Sequence, residues 1–247
     1  MISIIRCMKA DWIKSKHTPL LLIHLLFPLI GAGAFAGYFH ISGWSEITNA
    51  ATFLETMAIV FPFIIGIIVG IVVQLENGAG HFQLMLGTVR SRTAVYIGKL
   101  IYLIMLAGFS TVFCILLFAM LYPVMPLSFY LKPLIMFLLS MIPLYLISLL
   151  VGFGLGKSVS MGIGIVGSLL SALLMTGLGD AIWKFIPWGW SIRFIDFCVL
   201  EYVDPVQFQY ASHELRTGLS ILVFSTVILV IGSLVWFHRW EGTRENE

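Results

Sequence analysis

Apolar residues gather in six long runs, separated by short polar stretches, along a chain of 247 residues. An α-helix rises about 1.5 Å per residue, so about 20 mostly apolar residues cross the hydrocarbon core of a bilayer. The runs fall at about 19–39, 52–73, 97–121, 133–155, 160–183 and 217–237. Pro28, Pro62 and Pro143 lie inside the first, second and fourth. Each removes a backbone hydrogen bond and can kink its helix. The pattern predicts an all-α integral membrane protein, with one six-span domain over 1–247. Before the first run, residues 1–18 set Ile4, Ile5, Met8, Trp12 and Ile13 on one helical face, with Arg6, Lys9 and Lys14 toward the other. That arrangement predicts a short interfacial helix anchored at headgroup depth, against the plainer alternative of a frayed basic terminus.

Composition agrees. Hydrophobic residues make up 60% of the chain and charged ones 11%, with a mean hydropathy of +1.02. A soluble domain carries about 45–50% apolar and about 25% charged residues. The formal net charge of +2 gives no basic surface for a nucleic-acid partner. Cys7, Cys114 and Cys198 stand far apart and in odd number, which argues against a disulfide framework or a metal site. Lys14, Lys16 and His17 interrupt the N-terminal apolar residues, so no cleavable signal is expected.

Orientation follows from the 14 basic residues. Arg6, Lys9, Lys14, Lys16, Arg90, Arg92, Lys99, Lys157, Arg239 and Arg244 fall on the side of the termini. Lys132, Lys184, Arg193 and Arg216 fall on the other. Basic loops stay inside, so both termini are expected in the cytoplasm.

Catalytic motifs do not assemble. The stretch VGFGLGKSVS at 151–160 ends like a phosphate-binding loop, but residue 151 is Val where the first glycine is needed. It also follows an apolar span rather than a short strand. A tight inner turn between spans four and five is the better account, with Lys157 at the membrane face. Gly152, Gly156, Gly164, Gly167, Ser168 and Ala172 then serve as small helix-packing positions. Gly189-Trp190-Ser191 lacks the second glycine of a hydrolase elbow, and His213-Glu214-Leu215-Arg216 lacks the second His of a zinc protease. No acid pair is expected within the membrane, and no internal repeat or mid-span charge marks a secondary transporter. His24 is the one clear ionisable residue inside a span, either hydrogen-bonded in packing or part of a transport path.

The inner segment from Gln74 to Arg92 is too polar to cross and long for a simple turn. Phe82, Leu84, Met85 and Leu86 offer apolar contacts, and Glu76, His81, Gln83, Arg90 and Arg92 polar ones. It is either a solvated loop or a short membrane-parallel helix that docks a partner. Six spans, an amphipathic start, and Glu76-Asn77, Ala79-Gly80 and Phe82-Gln83 after span two resemble a type-2 ABC transporter permease. So do the basic positions Arg90, Arg92 and Lys99 and the Trp/Pro-rich outer segment. Within that superfamily the chain is most similar to lantibiotic self-protection permeases of the nisin, subtilin and mutacin kind. The resemblance implies a cytoplasmic coupling helix, with Glu76, Asn77, Gly80, Phe82, Gln83 and Leu84 meeting a separate ATPase subunit. It further implies ATP and Mg on two copies of that subunit, no cofactor on this chain, and a second related permease. The implied setting is a bacterial cytoplasmic membrane.

The outer segment from about Lys184 to Arg216 is dense in aromatics and acids. Aromatics collect at membrane interfaces, so a re-entrant or surface helix pair sealing the outer face accounts for them. The alternative is a face for a cationic amphipathic peptide, with Trp188, Trp190, Asp196, Glu201 and Asp204 as contacts. Glu46, Glu55, Asp180, Asp196, Glu201, Asp204 and Glu214 give this side seven acids against its four bases.

Overall fold

The structure, a computed structural model, describes residues 2–80, 82, 83, 87 and 91–242. Helices account for nearly all of them, and no strand occurs among the described residues. In chain order these are α1 (Ile2–Ser15), α2 (Pro19–Ile41), α3 (Glu46–Gly78), α4 (Arg92–Leu121) and α5 (Leu127–Leu155). Then come α6 (Lys157–Met175), α7 (Pro187–Val203) and α8 (Pro205–Arg239), with single 3-10 turns at Gly177–Gly179 and Trp183–Phe185 between α6 and α7. Six helices, α2 to α6 and α8, are long and apolar enough to cross a membrane. The protein therefore has the character of a multi-pass membrane protein.

Helix starts follow local chemistry. Thr18, Ser45, Ser91 and Asp204 each accept a backbone N–H from the first turn of the helix they precede, satisfying donors the helix cannot pair itself. Proline at the first position of α2, α7 and α8 has no N–H to lose. The boundaries differ from the apolar runs in an instructive way. α3 and α8 have 33 and 35 residues. Both extend well past their apolar stretches, because capped polar turns continue a helix beyond the hydrocarbon. The fifth span is shorter than expected: α6 ends at Met175, and 176–186 folds as turns.

The tight turn at Gly156 is present. α5 ends at Leu155, α6 begins at Lys157, and Gly156 alone links them at φ +93°, a backbone region that costs glycine little. The small positions also pack as expected. A methyl on Gly66 would lie 2.8 Å from the Ser160 carbonyl oxygen, and one on Gly164 would lie 2.9 Å from the Pro62 oxygen. α3 and α6 thus touch backbone to backbone, the contact that only small residues allow. Two helix prolines are repaired by hydroxyls. Pro28 cannot donate to the His24 carbonyl, and Ser110 Oγ donates to it instead at 2.9 Å. Beside Pro62, the Phe63 N–H donates to Ser168 Oγ at 3.1 Å.

Two hydrophobic cores result. The larger runs through α2 to α5 and the C-terminal end of α8, with Phe53 stacked on Phe118 at 3.8 Å. The smaller gathers Leu174, Trp183, Trp190, Phe194 and Leu222 beneath α7.

Candidate functional site: a charged joint and an aromatic cover

One end of the bundle is defined by contacts between distant parts of the chain. Lys157 Nζ donates to Gln74 Oε1 at 3.1 Å, and Arg92 reaches the carbonyls of His238 and Trp240 at 3.2 and 3.0 Å. Lys14 binds Glu76. The N-terminal helix, the end of α3, the starts of α4 and α6, and the end of α8 therefore share one end.

At that end α1 packs against α4. Ile4, Cys7, Met8 and Asp11 point inward, while Ile5, Trp12 and Ile13 are exposed. The single apolar face expected for α1 is thus divided into a protein-facing row and an outward row. Gly98 permits the approach, since a methyl there would lie 2.9 Å from Cys7 Cβ. Between these helices lies a cluster of two acids and two bases. Lys99 Nζ donates to Asp11 Oδ1 at 2.7 Å and to Glu76 Oε1 at 2.8 Å, and Lys14 Nζ contacts both Glu76 oxygens at 2.8 and 2.9 Å. Glu76 is 2% exposed and Lys99 3%. Burial that complete is tolerated only with every charge compensated and hydrogen-bonded. Glu76 therefore faces inward and ties α1, α3 and α4 together, rather than presenting its carboxylate at a surface. Lys99, counted above among the inner-face cations, is in fact an interior residue.

The segment that leaves this joint is pinned again a few residues later. Gly80 takes φ +92° and Phe82 φ +66°. A positive φ is uncommon for any residue other than glycine and costs on the order of 1 kcal/mol or more. The Phe82 N–H donates to the Glu76 carbonyl at 3.2 Å. Its ring is buried against Trp240 at 5.0 Å and Phe153 at 6.1 Å. Gln83 follows, exposed, with its N–H on the Gly80 carbonyl at 2.9 Å. Of the six residues expected to meet a partner, Gly80 and Gln83 are exposed, Glu76 and Phe82 are interior supports, and Asn77 is half-buried. Leu84 lies outside the described residues, as do His81, Met85, Leu86 and Arg90.

At the opposite end α7 covers the bundle. Arg193 staples it to the end of α6, donating to the carbonyls of Leu174 at 2.6 Å and Thr176 at 2.8 Å and to Asp180 Oδ1 at 2.7 Å. A cation at a helix C-terminus also meets the negative end of the helix dipole. Ser171 Oγ donates to the Trp188 carbonyl at 2.6 Å. The expected contact residues separate clearly. Trp190 is 1% exposed, its indole N–H on the Lys184 carbonyl at 2.8 Å. It is a core residue, because its ring completes the packing beneath α7. Trp188 is half-buried against Gly167. Asp204 caps α8 through the N–H groups of Val206 and Gln207 at 3.1 and 2.9 Å. Glu201 pairs with Lys132, and Glu214 with Lys184.

Asp196 is half-buried on α7, within electrostatic reach of Glu55 on α3. Burial first, and the Glu55 carboxyl second, push its pKa up to about 7 against the opposing pull of Arg193. Glu55 and Asp196 are 141 positions apart by their numbers in the sequence, and packing of α7 on α3 brings the two carboxyls within electrostatic reach of each other. Among the described residues no group of three metal-ligating side chains assembles. Comparison with family models, with curated proteins and with solved structures finds no match.

Proposed function

We propose that this chain is the permease subunit of an ABC transporter in a bacterial cytoplasmic membrane. Its energy comes from a separate ATPase subunit, present in two copies that carry ATP and Mg, and it works beside a second related permease. One observation carries the proposal. The segment after α3 emerges from a four-charge joint whose centre, Glu76 and Lys99, is buried, is pinned by Phe82 to α5 and α8, and ends at Arg92 bound to the end of α8. A push on that segment reaches α1, α3, α4 and α8 together, as a coupling element requires. The excess of basic residues at this end supports a cytoplasmic position, where an ATPase would dock. Gly80 and Gln83 supply the exposed surface, and Glu76 transmits force rather than grips.

The cargo follows from the opposite face. Expulsion of a cationic amphipathic peptide of the lantibiotic type would use Asp196, Trp188 and unpaired outer acids such as Glu46. A second reading, export of another hydrophobic drug or lipid, is favoured by the pairing of Asp180, Glu201 and Glu214 with bases of this chain. Purification of the tagged chain in mild detergent, from cells expressing its neighbouring genes, tests the proposal. An ATPase and a second permease are expected in fixed ratio, and Gln83→Arg should lose the ATPase while the chain stays monodisperse. A chain that purifies alone would make it a non-transporting immunity protein instead.

A further inference from the structure

Consecutive helices α2 and α3 scarcely touch, because α2 leans on α4 instead. The gap between them holds a cavity of about 140 Å³, walled by α2, α3 and α4 and floored by Tyr145 of α5. Its lining is overwhelmingly apolar, with Phe27, Met57, Val60 and Ile64 among the walls. Phe27 is exposed at the rim, and Phe35 meets Phe53 edge-on at 5.9 Å at the far end. Pro28 and Phe61 line it from α2 and α3.

Two polar atoms on this lining have no hydrogen-bond partner, His24 Nε2 and the Tyr145 hydroxyl. His24 is 5% exposed and Tyr145 0%. Native interiors rarely leave such atoms unpaired, since each costs about 1–3 kcal/mol. The tautomer of His24 is fixed by its neighbour. Nδ1 lies 2.7 Å from the Leu20 carbonyl oxygen, which can only accept, so Nδ1 carries the proton. Nε2 of the neutral ring is then a bare acceptor in an apolar chamber.

We propose that this cavity is a binding site for a small neutral lipid-soluble alcohol or phenol, whose hydroxyl donates to His24 Nε2. The size agrees, because a dry apolar cavity of about 150 Å³ accepts a benzene-sized molecule. Carboxylates and ammonium ions are excluded by the apolar walls, which would strip their hydration without a counter-charge. A plain hydrocarbon would leave Nε2 unsatisfied. The site lies within one chain and is independent of the ATPase assignment.

The test uses the full chain in phosphatidylcholine nanodiscs, with fluorine NMR of 4-fluorophenol and fluorobenzene. 4-Fluorophenol should bind saturably and about two- to tenfold more tightly than fluorobenzene, the ratio one net hydrogen bond supports. In His24→Leu the two affinities should become equal, with retained fluorobenzene binding showing that the cavity is intact. Gly31→Leu should abolish binding of both, since a side chain there enters open space on the cavity wall; an unchanged helical melting curve verifies its fold. Equal affinities in the unaltered chain, no saturable binding of either compound (a cavity holding water only), or undiminished binding in Gly31→Leu would each overturn the proposal.

Discussion

The two ends of the bundle use the same residue types in opposite ways. At the end that holds α1, Asp11, Lys14, Glu76 and Lys99 are drawn into a compact, charge-balanced cluster, with Glu76 and Lys99 almost wholly out of solvent. At the end covered by α7, Lys132–Glu201, Lys184–Glu214 and Arg193–Asp180 are pairs with at least one well-exposed partner. A buried charge that loses its partner is left uncompensated in low dielectric, whereas an exposed one returns to water. Charges at the α1 end therefore dictate how α1, α3 and α4 sit, and cohesion at the α7 end rests on Trp183, Trp190, Phe194 and the Arg193 staple. Stiffness at one end comes from charge, and at the other from packing.

That contrast can be broken most directly at Lys99. Lys99→Met should destabilise the protein by about 3–5 kcal/mol, because Asp11 loses its partner inside the protein. Adding Asp11→Asn should recover part of the loss. Unfolding followed by helical circular dichroism in detergent measures both, and a loss under about 1 kcal/mol would show that the joint is not organised by charge. A smaller effect is expected at Asp196, where pH is the probe. Its folded pKa of about 7 lies above the ordinary 3.8, so the folded protein holds the extra proton between those values. Stability should fall as pH rises from about 4 to about 7 and level off above, and Asp196→Asn should flatten that slope. The smallest change belongs to the exposed Lys132–Glu201 pair. Lys132→Ala should cost less than about 1 kcal/mol, and less still in high salt.

Much of this architecture is legible from hydropathy alone, because burying apolar length in lipid is a local property of each run. The six spans, the turn at Gly156 and the small-residue contact of Gly164 with α3 all follow from short-range pattern. The joint does not, since Lys99 lies 23 positions from Glu76 and 88 from Asp11, and only tertiary packing brings them together. One signal was available: Lys99 stands inside an apolar run, where an unpaired charge is expensive, so it demanded acidic partners. Composition likewise shows that the outer segment is aromatic, but not which rings point inward. Trp190 became core and Trp188 remained half-buried because α7 turns the two indoles in different directions. The proximity of Glu55 to Asp196 was hidden for the same reason as the joint.

The single-residue link at Gly156 also bears on how the protein is made. α6 has the lowest mean hydropathy of the six crossing helices, 1.9, and at 19 residues it has the shortest helix among them. Its partner α5 reaches 2.6 over 29 residues. With one residue between them, α6 has no slack to linger outside the bilayer once α5 is in place. Two arms so tightly linked are expected to enter as a helical hairpin, with the more apolar one helping the less apolar one across. Lengthening that link would uncouple the arms during biogenesis, leaving α6 to partition on its own modest hydropathy.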